Sequence, residues 1–407
     1  MTTYLNYLAY AVLFLTYFGL GLGYIPGYRL NRAAIAIVGA ALLIVLRVLD
    51  LNSAWKALDP NTLVFLFGVM VLSANLSEAG FFNLVLKGLV RLAHTPLGLL
   101  VWLSLGAGLL SALFLNDTIA ILLTPLVLVM VRSLQLPPVP YLLALAGATN
   151  LGSVATLTGN PQNILVGSFS QISYLDFTLA LAPVALVGLG LQIGLLCLLY
   201  PAVRSRKPLF EGGVVDLGRS MPNLEVNRAS LIKGGYVTVG LLVAFLLGYP
   251  PAQAALVAAG ILLFSRRLPS EQFFGRVDWE LLVMFSGLFI VTHAVEVLGL
   301  LAWVKPLVQQ PPSLMWVTAG LSNLISNVPA VLLLHKLVPL GDTRGWLLLA
   351  AASTLAGNLT LLGSVANLIV AEAARRENHK LGFLEHLRFG LPITLLTLLL
   401  AYFWIYR

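Results

Sequence analysis

Long apolar runs separated by short polar stretches recur along the whole chain. They lie near 5–24, 33–49, 62–78, 141–166, 178–203, 235–264 (divided by Gly248-Tyr249-Pro250-Pro251), 281–300, 346–370 and 389–406. Most approach the ~20 residues a helix needs to cross hydrocarbon. Two further apolar segments, 97–131 and 313–340, are interrupted at their middles, the first at Asn116-Asp117 and the second at Ser326-Asn327-Val328-Pro329. Each half is about 12–17 residues, short for a crossing, so the pattern predicts re-entrant helical hairpins. The backbone at such a tip must be buried in protein or line a wet cavity. In 141–166 the string Gly159-Asn160-Pro161 predicts a break within the span, because proline lacks an N–H and clashes with the preceding turn.

The pattern repeats. Asp59, Gly68 and Gly80 return as Asp278, Gly287 and Gly299, each 219 positions later. The stretch from Thr149 to Asn163 runs beside Ser353 to Asn367 at a constant offset of 204, so that Thr156, Gly159 and Asn163 meet Thr360, Gly363 and Asn367. The interrupted hairpins lie between these blocks, with Asn116 facing Asn327. The expected domains are a first repeat over 1–203 (hairpin 97–131, broken span 141–166), a linker over 204–233, and a second repeat over 234–407 (hairpin 313–340, broken span 346–370). Five full spans per half, plus a hairpin that returns to its own side, give an odd number of crossings and invert the second half. The predicted fold is therefore an all-α polytopic membrane protein built from two inverted-topology repeats, with broken helices at the midplane.

Composition supports a lipid solvent. The chain has 407 residues, 59% hydrophobic and only 10% charged, against roughly 25% charged in soluble domains. The net charge of +8 is spread singly over short loops without interleaved aromatics, which argues against nucleic acid. Placing the linker in the cytoplasm leaves only Arg47, Lys56, Lys305, Lys336, Arg344 and Arg407 outside, of 24 basic residues. That is a strong positive-inside bias. It puts both termini outside and suggests the inner (cytoplasmic) membrane. Trp102, Trp279, Trp303, Trp346 and Trp404 are candidate interface anchors. The lone Cys197 sits in an apolar run and is expected to be a packing residue.

The candidate chemistry lies at the interruptions. From Leu97 to Val131 the only charged residue is Asp117. A carboxylate at membrane depth is costly unless paired, protonated or hydrated, and so marks a functional site. With Asn116 and Thr118 it forms a tip that could bind a cation, and Asn116, Asp117 and Asn150 are a candidate Na+ site. Helix capping by Asn and Asp is compatible with that duty. Ser326, Asn327 and Pro329 form the second tip, which lacks an acid. Asn150, Gly152, Thr156, Thr158, Gly159, Asn160, Pro161 and Asn163 make an uncharged polar nest, and Asn358, Thr360, Gly363, Ser364 and Asn367 are its partner. His293, Glu296 and Glu78 read as interfacial. Asp59, Asp278 and Glu280 sit at helix starts, where they suit the helix dipole. No HExxH, GxSxG or paired membrane aspartates support an enzyme.

These strings resemble the ion-transporter (IT) superfamily of arsenite-efflux permeases, NhaD-type sodium/proton antiporters and divalent-anion/sodium symporters. Leu115 to Pro125 is most similar to the arsenite-permease/antiporter branch, where Asn-Asp precedes an apolar run ending in Thr-Pro. Gly159-Asn160-Pro161-Gln162-Asn163 resembles the family's Gly-x-Pro-x-Asn element. Ser326-Asn327-Val328 resembles the Ser-Asn-Thr signature of dicarboxylate symporters, with Val328 in place of threonine, and Asp117 interrupts the same signature in the first hairpin. The resemblance implies a homodimer with an outer scaffold and a transport domain moving like an elevator. The implied function is Na+- or H+-coupled secondary transport of a small anion or oxyanion, arsenite-permease-like. Sodium/proton antiport, dicarboxylate or sulfate symport, and a channel remain as alternatives.

Overall fold

In a computed structural model the described residues are 3–25, 27–205, 209, 226–264, 269–377 and 379–407. The middle of the 204–233 linker lies outside them, as do Arg206, Lys207, Arg219, Arg266 and Arg267 counted in the charge bias. The described residues form helices without strands. The first half runs α1 (Thr3–Leu22), α2 (Arg32–Val45), α3 (Leu51–Ala57), α4 (Pro60–Glu78), α5 (Phe81–Leu92), α6 (Pro96–Leu113), α7 (Asn116–Ser133), α8 (Pro138–Ser153), α9 (Pro161–Ser170) and α10 (Tyr174–Leu199). The second half runs α11 (Arg228–Leu246), α12 (Pro251–Leu263), α13 (Ser270–Phe274), α14 (Trp279–Val297) and α15 (Leu301–Val304), then α16 (Pro311–Ile325), α17 (Asn327–Leu334), α18 (Thr343–Leu355), α19 (Val365–Arg376) and α20 (Phe383–Tyr406). Eight of these are long and apolar enough to cross a membrane.

Local chemistry explains the ends. Asp59 caps α4 by accepting from the Thr62 amide at 3.1 Å, and Asp278 caps α14 by accepting from the Leu281 amide at 2.9 Å, each supplying an acceptor to an otherwise orphaned helix N–H. Asn160 caps α9 through the Asn163 amide at 2.8 Å. The helix started in 138–153 stops at Ser153 and resumes at Pro161. Two expectations change. The arms of the first interrupted segment, α6 and α7, are 18 residues each, about 27 Å at 1.5 Å per residue, longer than the 12–17 read from the sequence. Helix continues past the apolar run into its flanks, from Pro96 and on to Ser133. The other correction is Trp346, which is buried with its indole N–H donating to the Pro339 carbonyl at 3.0 Å. Trp102, Trp279 and Trp303 are exposed as expected of anchors.

The two halves interlock. α4 packs on α12 and α14 packs on α2, each through a glycine. A Cβ on Gly68 would lie 2.6 Å from the Ala255 carbonyl oxygen, and one on Gly287 would lie 2.7 Å from the Ala36 carbonyl carbon. Gly68 and Gly287 are 219 apart, as are Ala36 and Ala255. The same close backbone approach is therefore made twice, with the halves exchanged. Small residues that admit such approach are a main source of helix association in lipid. Replacing Gly68 by Val should destabilise the detergent-purified chain by about 1–3 kcal/mol through overpacking. Gly240, which has open space around it, should tolerate the same change. Thermal unfolding of both variants measures the difference.

Candidate functional site

Where α8 and α18 end, the chain leaves carbonyls without helical partners, and buried asparagines gather them. The Asn163 amide donates to the carbonyls of Ser153 and Thr156, both at 2.9 Å. The Asn367 amide donates to Gly357 at 2.8 Å and Thr360 at 3.1 Å. Each clamp thus holds the carbonyls ten and seven residues before its asparagine. Both asparagines are fully buried. In such a dry setting an unmade bond costs about 1–3 kcal/mol, so the pairing is close to obligatory.

The clamps are cross-linked reciprocally. Asn150 donates to Asn367 Oδ1 at 3.1 Å, and Thr354 donates to Asn163 Oδ1 at 3.3 Å. Ser364 donates to Asn150 Oδ1 at 2.9 Å, and Asn160 donates to Thr354 Oγ1 at 3.1 Å. Exchanging every residue with its partner 204 positions away turns the first bond of each pair into the second. Asn150 is the hub, also donating to Asn358 at 2.8 Å and accepting from the Asn116 amide at 3.3 Å.

The hairpin tips dock on this lattice. Asn116 opens α7, and its backbone N–H donates to the Gly159 carbonyl at 2.9 Å. Its Oδ1 is buried without a partner, an acceptor of the kind a small cation takes. In the orientation that satisfies its neighbours, the Asn327 amide donates to the carbonyls of Gly363 at 3.2 Å and Ser353 at 3.1 Å. Ser326 before it has φ 82° and ψ 157°, a region that favours glycine and costs a non-glycine residue about 1–3 kcal/mol. Pro329 lies buried in the first turn of α17. Thr156 and Thr158 both donate to the Ala112 carbonyl at the end of α6, so they brace the tip. Gly152 and Gly159 are required by crowding: a Cβ on either would overlap the Gly108 or Ser153 backbone.

Asp117 points elsewhere. α7 begins with no side-chain cap, so capping does not explain the acid. The carboxyl is half-buried and lines a cavity of about 230 Å3 with Thr118, Pro161, Ser73, Ser77, Arg276 and Asp278. The Ala366 amide in the first turn of α19 faces it, where the N-terminal end of a helix dipole favours an anion. The charges of Arg32 and Asp278 also reach it. An ion pair between Arg276 and Glu78 stands at the cavity's edge.

Three participants escaped the sequence reading. Thr354, opposite Asn150 in the repeat, was masked by its change of residue type. Asn323 donates to Ala356 at 2.9 Å and accepts from Thr360 at 3.0 Å. His386 is fully buried, with Nε2 at 3.0 Å from the Asn358 carbonyl. A histidine near the start of an apolar span was the available signal. Groups of three or more His, Cys, Asp or Glu able to hold a metal are absent among the described residues.

Residues 14–340 match the family described as citrate transporter. The chain is 33% identical to the silicon efflux transporter LSI3 of Oryza sativa subsp. japonica, over 91% of each chain. It is 32% identical to the inner membrane protein YbiR of Escherichia coli K12, over 86% of this chain and 88% of that one. The solved structure of the Alcanivorax borkumensis YdaH transporter matches with TM-score 0.53 and 16% identity over 98% of this chain and 96% of that one, a likeness of fold. Replacing Asn150 by Ala strands up to four polar neighbours and should cost about 1–3 kcal/mol. Thermal unfolding of the purified variant reads this, and an unchanged midpoint would refute the hub.

Proposed function

The chain belongs to the citrate-transporter family of the IT superfamily, and on that premise we propose that it is an ion-coupled secondary active transporter of a small anion or oxyanion. The observation that carries the proposal is Asp117: a carboxyl that caps no helix, in a membrane-spanning segment, open to a cavity and faced by the start of α19 from the other half. Asn116, Asp117 and Asn150 are the proposed site of the coupling Na+ or H+, with Asn116 Oδ1 as the free acceptor. Asn327, Asn358, Thr360 and Ser364 form the second half-site, and substrate binds between them.

The two halves (1–203 and 234–407, joined by 204–233) are proposed to be inverted repeats meeting at broken helices. The reciprocal hydrogen bonds and glycine contacts support this, since both follow from a two-fold exchange of halves. Such repeats joined near the midplane are a common transporter layout. The proposed placement is the inner membrane, both termini outside and the linker cytoplasmic, as a homodimer whose hairpins move with the substrate.

A second reading is favoured by the lattice itself. It contains no Lys or Arg, so an uncharged hydroxide such as silicic or arsenious acid fits it as well as an anion does. The relative named for silicon efflux points the same way. Sodium/proton antiport through Asp117 is a further alternative.

Proteoliposomes carrying the Asp117→Asn variant should lose ion-coupled flux by about tenfold or more, coupling free energies being roughly 1–3 kcal/mol. Any residual transport should lose its pH dependence. Unchanged flux and an unchanged pH profile would remove Asp117 from the mechanism. Non-saturating current in the wild type would indicate a channel instead.

A further inference from the structure

A second cavity, about 470 Å3, lies where the end of α3, the start of α4, the middle of α14 and the end of α17 meet. It is the counterpart of the Asp117 cavity. Phe289, Thr292 and His293 line it where Met70, Ser73 and Ala74 line the first, and Asp59 takes the place of Asp278, all at the offset of 219. The chemistry has changed sign. In the hairpin alignment Val328 stands opposite Asp117, so this cavity has no hairpin acid. In its walls are Lys56, His293, His335 and Lys336.

The donors are available. Lys56 is exposed and makes no ion pair among the described residues. Lys336 gives one bond to Glu296, which also bonds His293 at 3.1 Å, and an ammonium group has three donors to give. His335 is fixed by its Nδ1 at 2.8 Å from the Leu332 carbonyl and by stacking on Phe169 at 4.3 Å. The one acid in the wall is occupied. Asp59 Oδ2 takes the Thr62 amide, the Thr62 hydroxyl and the Ser168 hydroxyl, which turns its charge toward the helix start.

We propose that this cavity is a binding chamber for an anion: a small carboxylate or oxyanion carrying at least one full negative charge, held by Lys56 and Lys336. Binding itself is independent of the transport reading. Its role as a vestibule on the face opposite the Asp117 cavity rests on that reading, with cation and anion meeting the lattice from opposite sides. The anion shares Lys336 with Glu296 and Lys56 with the charge of Asp50.

Equilibrium dialysis of the full-length chain in detergent, with labelled citrate, labelled sulfate and arsenious acid as probes, tests this. Replacing both lysines (Lys56→Gln with Lys336→Gln) should weaken binding of the charged probe by about tenfold, as expected for losing two near charges. Binding of the uncharged arsenious acid should stay within about twofold. The pair Lys56→Arg with Lys336→Arg should keep the affinity. If the double glutamine variant does not fold, Lys56→Gln alone carries the test, since that side chain is exposed and makes no ion pair among the described residues. Undiminished anion binding in the glutamine variants overturns the proposal, as does failure of the arginine pair to retain it, or absence of both citrate and sulfate binding in the wild type. Lysine-dependent binding in a chain that moves no solute in vesicles would sink the transport reading and leave the chamber standing. Transport with lysine-independent binding would do the reverse.

Discussion

A chain surrounded by lipid must satisfy every backbone polar group from within, and this protein interrupts its helices at the places where doing so is hardest. The buried asparagine lattice answers that constraint. Asn163 and Asn367 take up the carbonyls released where α8 and α18 stop, and Asn150 ties the two clamps together. The hairpin tips then have fixed docking points at the Gly159 and Gly363 carbonyls. Without the lattice, neither tip could sit in a dry interior.

The exchange of halves makes structure; the departures from it make chemistry. Asp117 has no acidic counterpart, because Val328 occupies that place. The Ala366 amide at the start of α19 faces the carboxylate. In the counterpart cavity His293 stands where the first has Ala74, and His335 and Lys336 add to the wall. One cavity is lined by Asp117 and Asp278, and its counterpart by Lys56 and Lys336. A fold that repeats its packing while varying its charges provides two unlike approaches to one shared core.

Much of this was legible in the residue letters. The repeated Gly-Asn-Pro-Gln-Asn and Gly-Ser-Val-Ala-Asn strings marked the clamps, and Asp59 and Asp278 announced the helix starts they cap; the cap that Asn160 supplies to α9 was not read from its letter. Asp117 stood out by the cost of its charge. What the letters could not carry was long-range partnership. Thr354 matters because it faces Asn163 from 191 residues away. Ala366 matters through a backbone amide, which no letter encodes. Trp346 read as an anchor because composition alone does not say which face of a helix meets lipid. The lengths of α6 and α7 were missed because helix runs beyond the apolar stretch that reveals it.

We propose that two oppositely oriented halves meet at the lattice, so that their cavities open to opposite sides. Ser77 lines one cavity and Ser53 the other, and Cys197 is the only native cysteine. In a Cys197→Ser background, single cysteines at these positions can be challenged with a membrane-impermeant thiol reagent in right-side-out and inside-out vesicles. With that orientation Ser77→Cys is labelled only in inside-out vesicles and Ser53→Cys only in right-side-out ones. Labelling of both from the same side would contradict it.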